Sequence, residues 1–490
     1  MNTLESYLRH HAATQPDAVA IILPVASPSA PEEAFSALTY SALWQQVEER
    51  TSELRQQGVK ARQVVCVRTE QNADFLVTYF ALHTLGAVAM PLEHDLPDDR
   101  FSDIARRYEA FTPPPQVADI LFTTGTTGQP KGVMLSHDAI MADAENLIGA
   151  MGFEPPLVFI ICGPLNHIGS LSKVWPVIRQ GASLCILPGL KDLNLFFKAM
   201  DDESSKNLRN LCNQCDKVQS SKFKVQSTSS KVQSSKFKVQ STSYATFLVP
   251  ASVRMLLQLA PRQLAECADR LSFIESGAAA LPHADMQKLC RLLPHTRLYN
   301  TYASTETGII CTYNYNDGRC LPQCLGRPML HARVAINDEG HIVCSGRTLM
   351  TGYAEAAIEL SEEAAKEPER IVTADLGHID AEGMLHLTGR TGDVINVGGF
   401  KVAPTEVESA AMAHPDVADC VCTAVASPVT GQALRLLVVL REGCTLNRRA
   451  LALFLSQRLE RHKVPLLYQQ VEHIERTFNG KINRKYYYRG

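Results

Sequence analysis

No stretch of this 490-residue chain approaches the ~20 apolar residues that a membrane-crossing helix needs, so no span is expected. Neither sign of charge dominates: 48 lysines and arginines stand against 51 aspartates and glutamates, a formal net charge of −3. Binding to nucleic acid or to an anionic lipid surface calls for a basic excess that is missing here. The opening residues lack a basic start followed by an apolar core, so no secretory leader is expected and the predicted location is the cytoplasm. The 14 cysteines form no framework; Cys212-x-x-Cys215 has no second pair, nor do Cys320 and Cys324, which argues against a cysteine zinc site. Scattered thiols fit a reducing compartment.

A chain this long, 45% hydrophobic, exceeds what one core holds, so two or more domains are expected. Helix and strand patterns alternate along its first part. Leu38–Gly58 carries apolar residues at helical spacing, Val64–Val67 reads as a strand, Phe75–Gly86 as a helix and Ala87–Leu92 as a strand. Ser136 predicts an N-cap for a helix through Ile148; a strand over Leu157–Cys162, a helix near Trp175–Gln180 and a strand over Ser183–Leu187 follow. This order predicts an α/β fold: helices wrapped around mainly parallel sheets, with ligands gathering at the strands' C-terminal ends.

One segment breaks the pattern. Lys-Val-Gln-Ser recurs at 217, 224, 231 and 238, a seven-residue repeat. Phe223 and Phe237 lie only two positions before the next valine, which a coiled-coil seam does not accommodate. Rich in Ser, Lys and Gln, residues 206–243 are expected to be a disordered insertion in a surface loop, tolerable because loop-closure cost grows slowly with length.

The densest chemistry lies in Leu121–Val133, LFTTGTTGQPKGV. It follows Ala118–Phe122, an apolar run that reads as a strand. Gly125, Gly128 and Gly132 free the backbone to aim N–H groups at an anion. Thr123, Thr124, Thr126 and Thr127 add short donors, and Lys131 a point charge. The block suits a polyphosphate. It is not the common nucleotide P-loop, because Gly132 rather than Ser or Thr follows the lysine.

Further blocks follow in order. YASTETG, Tyr302–Gly308, offers an aromatic face, hydroxyls and the Glu306 carboxylate, and taken alone reads equally as a helix start. TADLG, Thr373–Gly377, places Asp375 at an expected turn, where it could accept two ribose hydroxyls or close an Asx turn. Gly389–Glu408 predicts a strand over Val394–Val397, a turn at Gly398–Gly399 and a Thr405/Glu408 capping box. NGKINR, Asn479–Arg484, presents Lys481 on a glycine-flanked loop near the terminus.

As a set, these blocks resemble the acyl-adenylate-forming superfamily of acyl- and aryl-CoA synthetases, peptide-synthetase adenylation domains and luciferases. The likeness covers nearly the whole chain outside the repeat. It implies a large N-terminal ATP- and acid-binding domain over 1–390, a hinge at 391–393 and a smaller mobile α+β lid over 394–490. It implies ATP, Mg2+ and coenzyme A as cofactors, and a small carboxylic acid as substrate. Thr123, Thr124, Gly125, Thr126, Thr127, Gly128 and Lys131 would hold the phosphates. Tyr302 would stack on adenine, flanked by Gly277, Ala278 and Ala279; Thr305 would touch the α-phosphate and Glu306 would bind Mg2+. Asp375 and Arg390 would hold the ribose, and Asp393 would be the hinge. Lys481 would be the catalytic lysine of the first half-reaction. PLNHIGS, Pro164–Ser170, resembles the block beside the acyl pocket and adds His167; Gly398 and Gly399 would line the thiol path.

The chain departs from the family's pattern at Ala303 and Ala374, where glycines are usual, and at Phe478, ahead of the lysine loop. Only about 25 residues separate Leu92 from Ala118, so a trimmed first subdomain is expected. VINVGGFK, ending at Lys401, resembles CoA synthetases more than adenylation domains. A stand-alone enzyme loading a carrier-protein phosphopantetheine, and a nucleotide binder without catalysis, remain as other readings. Lys173 and Glu275 are expected either to face a polar acid or to sit in surface ion pairs.

Overall fold

The computed structural model describes residues 3–25, 35–123, 131–201, 242–360, 368–476 and 481–487. Alternating strands and helices build two sheets in the N-terminal part. The larger has 13 strands, from Ala332–Ile336 at one edge to Phe35–Thr39 at the other. Arg297–Ser304, Leu271–Ser276, Ser243–Leu248, Leu157–Ile161, Ser183–Ile186 and Val19–Pro24 run parallel side by side. Parallel strands are covered on both faces, and Leu157–Ile161 is buried at every position. Beyond Arg297–Ser304 the sheet continues antiparallel through Gly308–Asn314, Cys324–Pro328, Leu385–Arg390 and Ile371–Ile379.

The second sheet has five strands. Val64–Arg68, Val88–Leu92 and Val117–Thr123 are parallel; Lys131–Ser136 and Gly352–Tyr353 complete it antiparallel. A single helix, Asp98–Glu109, fills the short connection between Leu92 and Val117. The helix His137–Met151 touches a strand of each sheet, so one apolar cluster joins them. Within it Phe153 stacks on Phe159 with ring centres 5.6 Å apart, and Phe273 meets Phe153 edge-on at 5.4 Å.

Local signals read from sequence operate as expected at several ends. The Ser136 hydroxyl accepts from the Ala139 N–H at 3.1 Å. Gly86, at φ 68°, ends the helix Ala73–Leu85 in the left-handed conformation that glycine adopts without strain. Gly398 and Gly399, at φ 59° and 94°, turn between the strands Ile395–Val397 and Phe400–Val402.

Other expectations are corrected. The Thr405/Glu408 capping box does not form: the helix Pro404–Met412 opens on a proline, with Ala403 at the N-cap and no side-chain cap. Glu408 is buried instead, accepting from the Cys422 N–H at 2.8 Å. Asp375 lies within the strand Ile371–Ile379 rather than at a turn, directly opposite Arg390. YASTETG is the bend of a hairpin, Arg297–Ser304 into Gly308–Asn314, and starts no helix. Residues 206–241 of the expected insertion lie outside the described residues, whereas Ser243, assigned to its end, opens a strand.

Past Asp393 a separate sheet, Ile395–Val397, Phe400–Val402, Val417–Ser427, Gly431–Leu440 and Leu467–Gln470, encloses its own core around Val407, Leu436 and Leu451. Asp419 joins it to the N-terminal part by pairing with Arg254 at 2.9 Å, and pairs within its own unit with Arg476 at 2.7 Å.

Gly326 sits at φ 83° where the strand Cys324–Pro328 bulges, and a Cβ there would lie 1.9 Å from the Thr312 carbonyl oxygen. Gly326→Ala is expected to cost roughly 2–4 kcal/mol in chemical denaturation, because backbone rather than a mobile side chain must yield. Wild-type stability in that variant would contradict this packing.

Candidate active site

The glycine- and threonine-rich loop springs from a hairpin. Thr123 ends one strand and Lys131 opens the next, directly opposite each other in register. Thr124, Gly125, Thr126, Thr127 and Gly128 lie outside the described residues. The Lys131 amine lies 4.7 Å from the centre of the Tyr353 ring, and the Tyr353 hydroxyl donates to Glu306 Oε1 at 3.2 Å. The loop's exit is thereby joined to the bend that carries Thr305 and Glu306. Tyr353 carries no local signal; only pairing of Gly352–Tyr353 with Lys131–Ser136 brings it here.

A second group forms across neighbouring strands. Tyr302 donates its hydroxyl to Asp375 Oδ2 at 2.8 Å, while Arg390 Nε stands 3.6 Å from Oδ1. Burial, and then the Asp375 charge, push the Tyr302 phenol well above its ordinary range, so it stays a neutral donor.

Lys481 arrives from the C-terminal unit. Burial pulls its amine below the ordinary lysine range, helped by the Arg390 cation and opposed by the Asp375 and Glu306 carboxylates. The lysine, whose side chain is exposed overall, therefore lies within electrostatic reach of those three groups. His167, at the start of the helix Ile168–Gln180, feels it too: burial first, then Lys481, push its imidazole down to about 4. His167, Glu306, Asp375 and Arg390 thus all lie within electrostatic reach of Lys481.

The lysine's loop is fastened by Arg484. Its guanidinium grips Glu408 with both terminal nitrogens at 2.9 Å, donates to the Cys422 carbonyl at 3.2 Å and reaches Asp393 Oδ2 at 3.2 Å. Asp393 also gives its backbone N–H to the Arg390 carbonyl at 2.9 Å. Nothing local in the sequence marks Glu408, beyond its capping spacing, or Arg484, three residues after Lys481, as partners in this clasp. By contrast, Gly398 and Gly399 make their hydrogen bonds to Thr430 and Asn396, and Lys401 pairs with Asn396, all within the C-terminal unit.

Gly277, Ala278 and Ala279 follow the strand Leu271–Ser276, with Ala278 in the left-handed region at φ 66°. A Cβ on Gly277 would approach the Thr301 carbonyl at 3.1 Å and the Phe247 ring at 3.3 Å; one on Gly169 would meet the same ring at 3.1 Å. Phe247, unmarked in the sequence reading, therefore fills the space between those two glycines. Lys173 and Glu275 are corrected: they pair with each other at 2.8 Å in the interior, 2% and 0% exposed, and not at the surface. Their charges largely cancel, and Glu275 Oε2 has no hydrogen-bond partner among the described residues.

The family of AMP-binding enzymes matches residues 8–112, 107–206 and 239–354, and the C-terminal domain of AMP-binding enzymes matches 406–481. The N-terminal match is interrupted around the seven-residue repeat. An indoleacetate–CoA ligase of Aromatoleum aromaticum is 26% identical, spanning 98% of this chain and 96% of its own. A 2-succinylbenzoate–CoA ligase of Bacillus mycoides is 24% identical over 99% of this chain and 98% of its own. ATP-bound MatB from Rhodopseudomonas palustris shares the fold with a TM-score of 0.79 at 21% identity, covering 99% of this chain and 98% of that one. MenE from Bacillus subtilis with its acyl-adenylate intermediate gives 0.75 at 18% identity, over 98% and 97%.

The electrostatics of the cleft can be read directly. By NMR of the methylated amine, Lys481 is expected to titrate below the ordinary ~10.4, and Arg390→Gln to raise that value by removing a like charge. An unchanged titration in the variant would place Arg390 away from the lysine.

Proposed function

This chain belongs to the family of AMP-binding enzymes, and we propose that it activates a carboxylic acid with ATP and transfers the acyl group to coenzyme A. In the first half-reaction the acid's carboxylate oxygen bonds to the α-phosphorus as the bond to the β-phosphate bridge breaks, releasing pyrophosphate. In the second, the thiolate attacks the acyl carbon and AMP leaves with the electron pair.

The observation that supports this most strongly is the approach of Lys481 to Glu306, Asp375 and Arg390 from a separately folded C-terminal unit. A carboxylate nearing a polyphosphate meets like-charge repulsion, and negative charge grows on the bridging oxygen. Lys481, held among dipoles and charges that need not reorganise, offsets it. Lys131 and the loop from Thr123 to Gly128 take the phosphates, Thr305 the α-phosphate, and Asp375 with Arg390 the ribose. The Tyr302 ring, its hydroxyl held by Asp375, presents a face for adenine beside Gly277–Ala279.

Glu306 fits Mg2+: it is a hard oxygen donor in no salt bridge among the described residues. Bound there with the phosphates, the ion would supply charge neutralisation.

A thiol cannot reach the acyl carbon while the lysine loop occupies the cleft. We assign residues 391–393 as the hinge for its withdrawal, with movement requiring release of Arg484 from Asp393. The Gly398–Gly399 turn and Lys401 then become the surface that guides the thiol. His167 and Phe247 border the acid. The relatives' names favour free coenzyme A over a carrier protein as acceptor.

Pyrophosphate exchange into ATP is expected to depend on a carboxylic acid, measured across fatty, aryl and amino acids; exchange without any acid, or none with all, would refute the reading. Lys481→Ala should slow acyl-AMP formation roughly 10²–10³-fold while leaving thiol transfer from supplied acyl-AMP intact. Equal loss of both steps would remove the lysine's role. Asp393→Pro removes both Asp393 bonds and stiffens the turn, so it should slow both half-reactions, thioester formation the more, in single-turnover measurements; an unchanged thioester rate would remove the hinge.

A further inference from the structure

Behind the phosphate hairpin lies a cluster of ionisable side chains that neither half-reaction uses. The helices Leu4–Thr14, Ala73–Leu85 and His137–Met151 bring together one ligand atom each from Glu5, His83 and His137, all within 4.8 Å of one another. The two imidazole rings meet edge to face, 5.2 Å between centres.

Hydrogen bonding defines what these atoms offer. His83 is 3% exposed, and its Nε2 stands 2.8 Å from Asp119 Oδ1. The other Asp119 oxygen accepts from the Tyr79 hydroxyl at 2.8 Å, and that hydroxyl in turn accepts from Trp175 Nε1 at 3.2 Å. With Asp119 accepting from Nε2–H, the neutral tautomer of His83 presents its lone pair at Nδ1. That Nδ1 has no hydrogen-bond partner among the described residues, and neither does the buried Glu5 Oε2; Glu5 Oε1 is occupied by the Thr3 hydroxyl. Two orphaned acceptors and a second imidazole therefore face one point. Carboxylate–histidine pairs of this kind hold metal-binding imidazoles in orientation.

Two carboxylates, Glu5 and Asp119, stand beside the two imidazoles, and a dication balances their charge. The competing occupant is a second proton on His83: burial opposes it, but the charges of Asp119 and Glu5 prevail and raise that imidazole's pKa.

We propose that Glu5, His83 and His137 bind a divalent transition-metal ion of the zinc type, with Asp119 orienting His83 and water completing the shell. Mixed imidazole and carboxylate donors favour zinc over magnesium. Bonds of about 2.0–2.2 Å require ligand atoms roughly 3.4 Å apart. The ligand atoms lie within 4.8 Å of one another, so binding requires the three side chains to draw together. Asp119 lies on the strand entering the phosphate loop and His137 follows the strand leaving it, so the ion would brace that hairpin against the N-terminal helix.

The test uses the full-length protein, stripped with a chelator and titrated with Zn2+ or Co2+ in the absence of ATP. One equivalent is expected to bind, with the visible absorption of four-coordinate Co2+ and a rise in Tm. Glu5→Gln and His137→Gln should each weaken binding at least 10–100-fold without changing the metal-free Tm, and Asp119→Asn should weaken it about 10–100-fold. No stoichiometric uptake by wild type would overturn the proposal. So would uptake unchanged in both Glu5→Gln and His137→Gln, which would place the ion on other groups such as the cysteines.

Discussion

The charge-assisted clasp between Arg484 and Glu408 is the constraint on which the site depends. Both side chains are nearly buried, at 12% and 10% exposure, and the guanidinium meets the carboxylate with two parallel bonds of 2.9 Å. A buried pair like this is a weak source of net stability, because desolvation offsets most of the attraction. It is a strong source of geometry. Losing either partner strands a charge in the interior, at about 3–5 kcal/mol, so the loop three residues upstream is held in one place. That loop carries Lys481.

The same guanidinium reaches Asp393, whose N–H in turn holds the Arg390 carbonyl. Position of the lysine, conformation of the turn at 391–393 and placement of Arg390 are therefore coupled through one short chain of bonds. An amine pulled below its ordinary range by burial and a neighbouring cation is poised for an anion, since phosphate charge would restore its proton affinity. Withdrawal would forfeit that gain together with the Arg484–Asp393 contact. In the proposed reaction, departure of pyrophosphate would leave less negative charge to retain the loop, giving the swing a direction.

Much of the larger part was legible because its signals are local. Ser136 caps a helix, Gly86 ends one, and the apolar run from Leu157, which reads as a strand, forms one buried at every position. Where reading failed, a distant partner decided. Asp375 resembled a turn residue until its strand paired with the one carrying Arg390, and Glu408 resembled a cap until Arg484 claimed its carboxylate. Lys173 and Glu275, 102 residues apart, gave no sign that they would neutralise each other.

The sequence by itself determined the order of chemical blocks, the helix-wrapped strands and the presence of hydroxyls, carboxylates and cations suited to a nucleotide, since these follow from side-chain type and spacing of two or 3.6 residues. Only the tertiary structure decided that Tyr353 would bridge Lys131 to Glu306, that Phe247 would occupy the gap between Gly169 and Gly277, and that Glu5, His83 and His137 would face one point. The physical reason is that burial and pairing across long stretches of chain create a side chain's charge state and partners, and neither exists until the sheets have closed.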